Sequence, residues 1–192
     1  DYKVEGDWSQ AAFLLALGAL GGEIALTGIG LNSRQGDREI VDIMMSFGAD
    51  IKSENGVIYF RRSALTGTEI DAAQIPDLVP IIAVLASTAR GVTTITGAAR
   101  LRLKESDRLA AISTCINLLG GKAEGTSDGL RIYGAERLKG GVTVPSFGDH
   151  RIVMSMAAAA LACEEPVIIE NYQAVSKSWP GFFEVYKACG GA

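Results

Sequence analysis

The sequence predicts an α/β fold with pseudo-threefold internal symmetry, and three observations carry the prediction. A unit of about 70 residues recurs three times, over approximately 4–66, 69–136 and 142–192, a period that signals duplicated supersecondary units. In each copy the first helical stretch is apolar round most of its circumference, as in "QAAFLLALGAL", "VPIIAVLAS" and "RIVMSMAAAALA", the pattern of a helix buried on all sides. A short β-branched run and then a helix with a single apolar stripe follow it. Strands and striped helices packed outside a helical centre satisfy all three. The soft stretches "SALTGTEID" and "GAERLKGG" separate copies and mark no linker, so residues 1–192 read as one domain.

In the first copy Asp7 opens the buried helix, a strand is expected over Glu23–Thr27, and Gln35-Gly36-Asp37 forms a second polar junction. Ile40, Ile43, Met44 and Phe47 then make the stripe of an outer helix, and a hairpin follows over Asp50–Ser53 and Val57–Arg61. The second copy repeats this with Asp77, a strand over Val92–Thr96, the junction Glu105-Ser106-Asp107, the stripe Leu109, Ile112, Ile116 and Leu119, and strands over Ala123–Gly125 and Leu130–Tyr133. The third has Asp149, a strand over Val167–Glu170 and the junction Lys177-Ser178-Trp179, with Ser178 expected to cap the last helix. Gly48, Gly120 and Gly190 stand where each outer helix should end in a left-handed residue.

Composition narrows the function classes. With 48% apolar and 21% charged residues the chain is a packed globule and not a disordered tail. A net charge of −4 gives no global attraction to nucleic acid, and aromatics are not interleaved with basic residues, so any anion site must be local. Cys115, Cys163 and Cys189 cannot all pair, and read as free, buried thiols of a reducing compartment. No sequence tie joins any of them to the single histidine, His150, so none reads as a nucleophile. The apolar runs Ala11–Leu20 and Ile152–Cys163 fall short of the roughly 20 residues a bilayer needs. The opening Asp1-Tyr2-Lys3 shows no secretory signal. A cytoplasmic protein that binds neither nucleic acid nor membrane is expected. With no initiator Met and an apolar pattern that starts almost at once, the chain reads as an excised piece of a longer one.

Chemistry-bearing residues gather at the junctions. If the buried helices run parallel, their N-termini emerge together, and unpaired N–H groups with the positive dipole ends attract anions. Asp77, Lys104, Glu105, Arg108, His150, Arg151 and Lys177 all fall there. Each has a plainer reading. Asp77 could cap a helix, His150 could be a satisfied histidine near a helix start, and Lys104, Glu105 and Arg108 in "LRLKESDR" could be surface pairs contributing ~0.2–0.5 kcal/mol each. The repeat favours a pocket: copies two and three supply Arg108, Arg151 and Lys177 at helix starts, where cations oppose the dipole unless an anion neutralises them. Two arginines can grip a carboxylate or phosphate bidentately, and two carboxylates beside cations can differ in pKa and divide acid and base duties. A small, multiply anionic substrate and proton transfer are expected. No Cys/His spacing calls for a metal, and no P-loop or dinucleotide fingerprint appears.

"IPDLVP", "LKESDRLAA", "GDHRIVMSMAAAALA" and "SKSWPGFF", in this order and preceded by "VEGDWSQAAFLLA" and "GLNSRQGDREIVDIM", closely resemble the second half of the 5-enolpyruvylshikimate-3-phosphate synthase family, over essentially the whole chain. The resemblance implies one of two domains, each of three βαβαββ units in an inverse α/β arrangement. It implies transfer of the enolpyruvyl group of phosphoenolpyruvate to the 5-hydroxyl of shikimate 3-phosphate, without metal or organic cofactor, at a site completed by a missing N-terminal domain. Position by position, Asp77 matches the base for the 5-hydroxyl and Glu105 the acid for the methylene carbon. Lys104 matches a contact of shikimate 3-phosphate, Arg108 and Arg151 those of the phosphoenolpyruvate carboxylate, Lys177 one near its phosphate, and His150 a neighbour tuning Glu105. Arg100 stands where some members have a substrate-contacting Asn and is not carried over. A UDP-N-acetylglucosamine enolpyruvyltransferase is the nearest alternative, but its motifs are not seen. A non-catalytic anion-binding half would be favoured by loss of Asp77 or Glu105, and both are present.

Overall fold

The structure, a computed structural model, describes residues 4–191. The opening Asp1-Tyr2-Lys3 and the terminal Ala192 included in the domain span lie outside the described residues. Three helices form the centre: α1 (Trp8–Gly21), α3 (Val79–Thr88) and α5 (His150–Ala160). Each packs against the other two. Their sequences explain this, because Val79 through Ser87 of α3 are all buried and most of α1 and α5 is as well. Such helices gain stability by removing apolar surface from water on every side. Starts are set locally. Asp7 accepts from the N–H groups of Ser9 and Gln10 at the head of α1, and Asp149 accepts from Arg151 N–H at the head of α5. At α3 a 3₁₀ turn, Pro76–Leu78, leads in.

Outside this centre lie α2 (Ile40–Ser46), α4 (Arg108–Leu118) and α6 (Phe182–Ala188) with three sheets. In the first sheet β1 (Glu23–Leu26) and β2 (Asp50–Glu54) flank β3 (Val57–Arg61), both antiparallel. The second runs β4 (Glu69–Asp71), β5 (Val92–Thr96), β7 (Leu130–Tyr133), β6 (Lys122–Gly125), with β4 parallel to β5 and the rest antiparallel. The third is a parallel pair, β8 (Thr143–Val144) and β9 (Ile168–Ile169). A strand–helix–strand crossover thus carries α3 over the second sheet and α5 over the third. Gly48, Gly120 and Gly190 adopt φ of 88°, 86° and 90° at the ends of the outer helices, as their positions required.

The structure departs from the sequence reading at several points. The strands β4 and β8 are too short to show a period of two and were not anticipated. The third-copy strand shrinks to Ile168–Ile169, between Pro166, which donates no ladder bond, and Asn171, left-handed at φ 49°. Ser178 caps no helix; Pro180 disfavours helical geometry at Trp179, and α6 starts after Gly181 instead. Lys177 therefore ends a 3₁₀ segment, Tyr172–Lys177, and opposes no helix dipole. Cys189 is exposed, because it follows the last turn of α6, whereas Cys115 and Cys163 are buried.

Candidate active site

The parallel run of the central helices brings three N-termini to one end. Arg151, in the first turn of α5, reaches the segment that leads into α3, with Nη1 donating to the Asp77 carbonyl and Nη2 3.2 Å from Asp77 Oδ2. Gln10 of α1 donates to the Ser178 carbonyl nearby.

Asp149 anchors this end. It is fully buried, caps α5, and accepts Arg108 Nε–H at 2.7 Å on Oδ2 and Arg108 Nη2–H at 3.3 Å on Oδ1. Ser106 Oγ–H and Arg151 N–H complete its coordination. Arg108, the first residue of α4, spends its remaining reach on Asp77, with Nη1 2.9 Å from Oδ1. Lys104 Nζ lies 3.5 Å from the same oxygen. Asp77, one-third exposed, is thus gripped by three cations from two segments, Lys104 and Arg108 from one and Arg151 from the other. Glu105 Oε2 sits 3.1 Å from His150 Nδ1, and Asp149 Oδ1 is 4.0 Å from that nitrogen. Lys177 joins only through the backbone, donating to the Gly148 carbonyl at 3.0 Å. Arg100 turns away to the Ala73 carbonyl.

Electrostatics follow this arrangement. Burial by itself would raise the Asp77 carboxyl, but Arg151, Lys104 and Arg108 together hold it below the ordinary aspartate value. Burial also works against Asp149, and the bonds and charge of Arg108 outweigh it, again leaving the carboxyl low. Asp37, beside α1 and accepting from Ser9 Oγ, goes the other way: burial raises it despite the nearby Arg151 charge. Within the molecule, then, Arg108 and Arg151 are neutralised by Asp77 and Asp149. The expectation that only a bound anion could justify cations at these helix starts is corrected to that extent.

Two features were missed in the sequence. Asp149 read only as a helix opener, although "GDHR" before an apolar run is a capping signal that pins one carboxylate beside a guanidinium. Asp37 read only as part of the polar junction Gln35-Gly36-Asp37. Glu105, Asp149 and His150 offer ligand atoms within 4.8 Å of one another. They do not suit a cation, because both Asp149 oxygens already accept from Arg108, whose positive charge would adjoin it.

The sequence pattern of EPSP synthase (3-phosphoshikimate 1-carboxyvinyltransferase) matches residues 1–186. The chain belongs to the EPSP synthase family. Within that family it is similar to the 3-phosphoshikimate 1-carboxyvinyltransferase of Clostridium kluyveri, 48% identical over 191 residues, covering all of this chain and 45% of that protein. The enzyme of the same name from Clostridium acetobutylicum is also 48% identical, over 190 residues and 44% of its length. Among solved structures, EPSP synthase from Acinetobacter baumannii superposes with a TM-score of 0.86 at 32% identity, over 97% of this chain and 46% of that one. The chain spans about half the length of these EPSP synthase family relatives. No helix among the described residues is long and apolar enough to cross a membrane.

Proposed function

We propose that this chain, residues 1–192, is one globular domain of three repeats from a 3-phosphoshikimate 1-carboxyvinyltransferase of the cytoplasm. The whole enzyme would transfer the enolpyruvyl group of phosphoenolpyruvate to the 5-hydroxyl of shikimate 3-phosphate and release phosphate, on the route to aromatic amino acids. The observation that carries this reading is Asp77, held by Lys104, Arg108 and Arg151 with the Glu105–His150 pair alongside, in a chain that matches the family throughout. The other half of the site would come from a partner N-terminal domain.

In this mechanism Glu105, oriented by His150, gives a proton to the methylene carbon of phosphoenolpyruvate, and positive charge grows on the carbon bearing the phosphate ester. The 5-hydroxyl oxygen attacks that carbon while Asp77 takes its proton, forming a tetrahedral adduct. Loss of a proton from the new methyl group, with cleavage of the carbon–oxygen bond to phosphate, restores the double bond. Arg108 and Arg151 would hold the phosphoenolpyruvate carboxylate, Lys177 its phosphate, and Lys104 shikimate 3-phosphate. The geometry adds a condition. Asp77 occupies the cations the substrates would use, and these same cations make it a weak base. Substrate anions that take Arg151 and Lys104 would release Asp77 and raise its pKa as the base is needed.

The test is an amide NMR titration of this chain at low salt, with phosphoenolpyruvate and shikimate 3-phosphate in separate samples. Shifts grouped at Lys104–Arg108, Asp149–Arg151 and Lys177 are expected. Shifts absent from these residues would sink the reading of a preformed half-site. Phosphate release by residues 1–192 alone should be negligible, because in this reading turnover needs the partner domain to close over the site and exclude water.

A further inference from the structure

We infer that the opposite end of the molecule holds a second binding site, for a small oxyanion. A cavity of about 450 Å³ opens there, within the range of about 300–1,000 Å³ that small-molecule pockets occupy. Its walls are the last turns of α1 and α3, Leu161 and Ala162 just after α5, and the segments that follow β3 and β7. Three arginines line it: Arg62 after β3, Arg90 after α3 and Arg137 after β7.

Arginines beside helix C-termini ordinarily cap carbonyls and offset the dipole. Here the backbone has largely done the capping. Arg62 N–H donates to the Gly22 carbonyl, Ala135 N–H to that of Ser87, and Leu138 N–H to that of Ala162, at 2.7, 2.9 and 3.0 Å. Of the three guanidinium groups, only that of Arg137 is seen to donate a bond among the described residues, to the Cys163 carbonyl. Among the described residues none of the three forms an ion pair. Ser63 Oγ, on the same wall, is buried without a hydrogen-bond partner among the described residues. Glu136 is the one carboxylate in the lining. Its charge, with about half a negative unit from each helix end, remains smaller than the three positive charges. A carboxylate or phosphate group suits what is left, since guanidinium groups bind the oxygens of either bidentately. None of these residues belongs to the Asp77 cluster, so the inference stands independently of the proposed reaction.

The experiment is a titration of this chain at low salt with inorganic pyrophosphate and, in a parallel sample, citrate, read by amide and arginine Nε–H NMR. Saturable shifts at Ser63, Ala64 and Arg137 are expected, distinct from any at Arg151 and Lys177, and the stronger of the two probes assigns phosphate or carboxylate as the preferred chemistry. The double variant Arg62→Gln/Arg90→Gln changes two exposed side chains and should keep the dispersed spectrum of the parent. It should weaken binding at this end at least tenfold while leaving the response at Arg151 unchanged. Absence of saturable shifts with both probes, or unaltered affinity at Ser63 and Arg137 in the double variant, would overturn the site.

Discussion

The pair Arg108–Asp149 shows how different two salt bridges can be in one small protein. Its side chains are 4% and 0% exposed, whereas Arg38 and Asp42, an i,i+4 pair on the surface, are about one-third and one-half exposed. Removing one partner of a buried pair strands the other charge and costs about 3–5 kcal/mol, while the surface pair is worth about 0.3–0.5 kcal/mol. Arg108→Ala should therefore destabilise the chain several-fold more than Arg38→Ala, as urea unfolding would measure. The pH dependence has a definite sign. The folded-state pKa values of Asp77 and Asp149 lie below the unfolded reference of about 3.9. Their contribution is complete above that value and is lost as pH falls through the folded values. Stability should drop below about pH 4, and less steeply in Arg108→Ala, where no guanidinium depresses Asp149. Asp77 also competes with ligands for Arg151. Asp77→Asn should bind phosphoenolpyruvate more tightly than the parent, even though the proposed base is gone; weaker binding would show that Asp77 does not mask the cations.

At the scale of elements, ends matter more than middles. Gly48 and Gly120 both stop an outer helix in a left-handed conformation that a side chain disfavours by about 1–2 kcal/mol. They differ in surroundings. A Cβ on Gly48 would meet nothing nearer than the Ala64 carbonyl at 3.6 Å, whereas one on Gly120 would press on Lys139 Cβ at 3.0 Å. Gly48→Ala should thus show the conformational cost alone, and Gly120→Ala a larger loss of melting temperature. The strong elements were legible because burial wrote their pattern: the unbroken apolar run of α3, the stripes of α2 and α4, the β-branched run of β5. The strands β4 and β8 were not, because two or three residues hold no periodicity and each is fixed by a parallel partner that the chain reaches only after a helix. The start of α6 was misread because a serine in a suitable place signals a cap, while Pro180 two residues on decides the backbone.

Across the whole molecule the three central helices act as a common axis with two unlike poles. Their N-termini carry carboxylates and cations locked together, and their C-termini carry arginines with few internal partners. The buried thiols report on the packing between the poles. Burial pushes Cys115 up to about 12 and Cys163 to about 11, so neither offers a thiolate near neutral pH, and Cys189 is exposed. Iodoacetamide should modify one thiol in the native protein and the other two only at the rate of opening. Fast reaction of all three would show that the core around α4 and α5 is loose.

Residue order alone determined the α/β class, the threefold recurrence, the all-round burial of the central helices and the segments where charge collects, since each is a local pattern of hydrophobicity, capping or turn chemistry. It also singled out Asp77, Lys104, Glu105, Arg108, His150, Arg151 and Lys177. Which of these touch was settled only by tertiary structure. Asp77 and Arg151 are 74 positions apart and meet at 3.2 Å because α3 and α5 run side by side in the same direction. The same packing decided that Arg108 is clamped on Asp149, that Lys177 reaches only a carbonyl, and that Arg62, Arg90 and Arg137 face one cavity. Charge partnership over such separations depends on how helices are stacked, and stacking is a property of the whole core and not of any window of sequence.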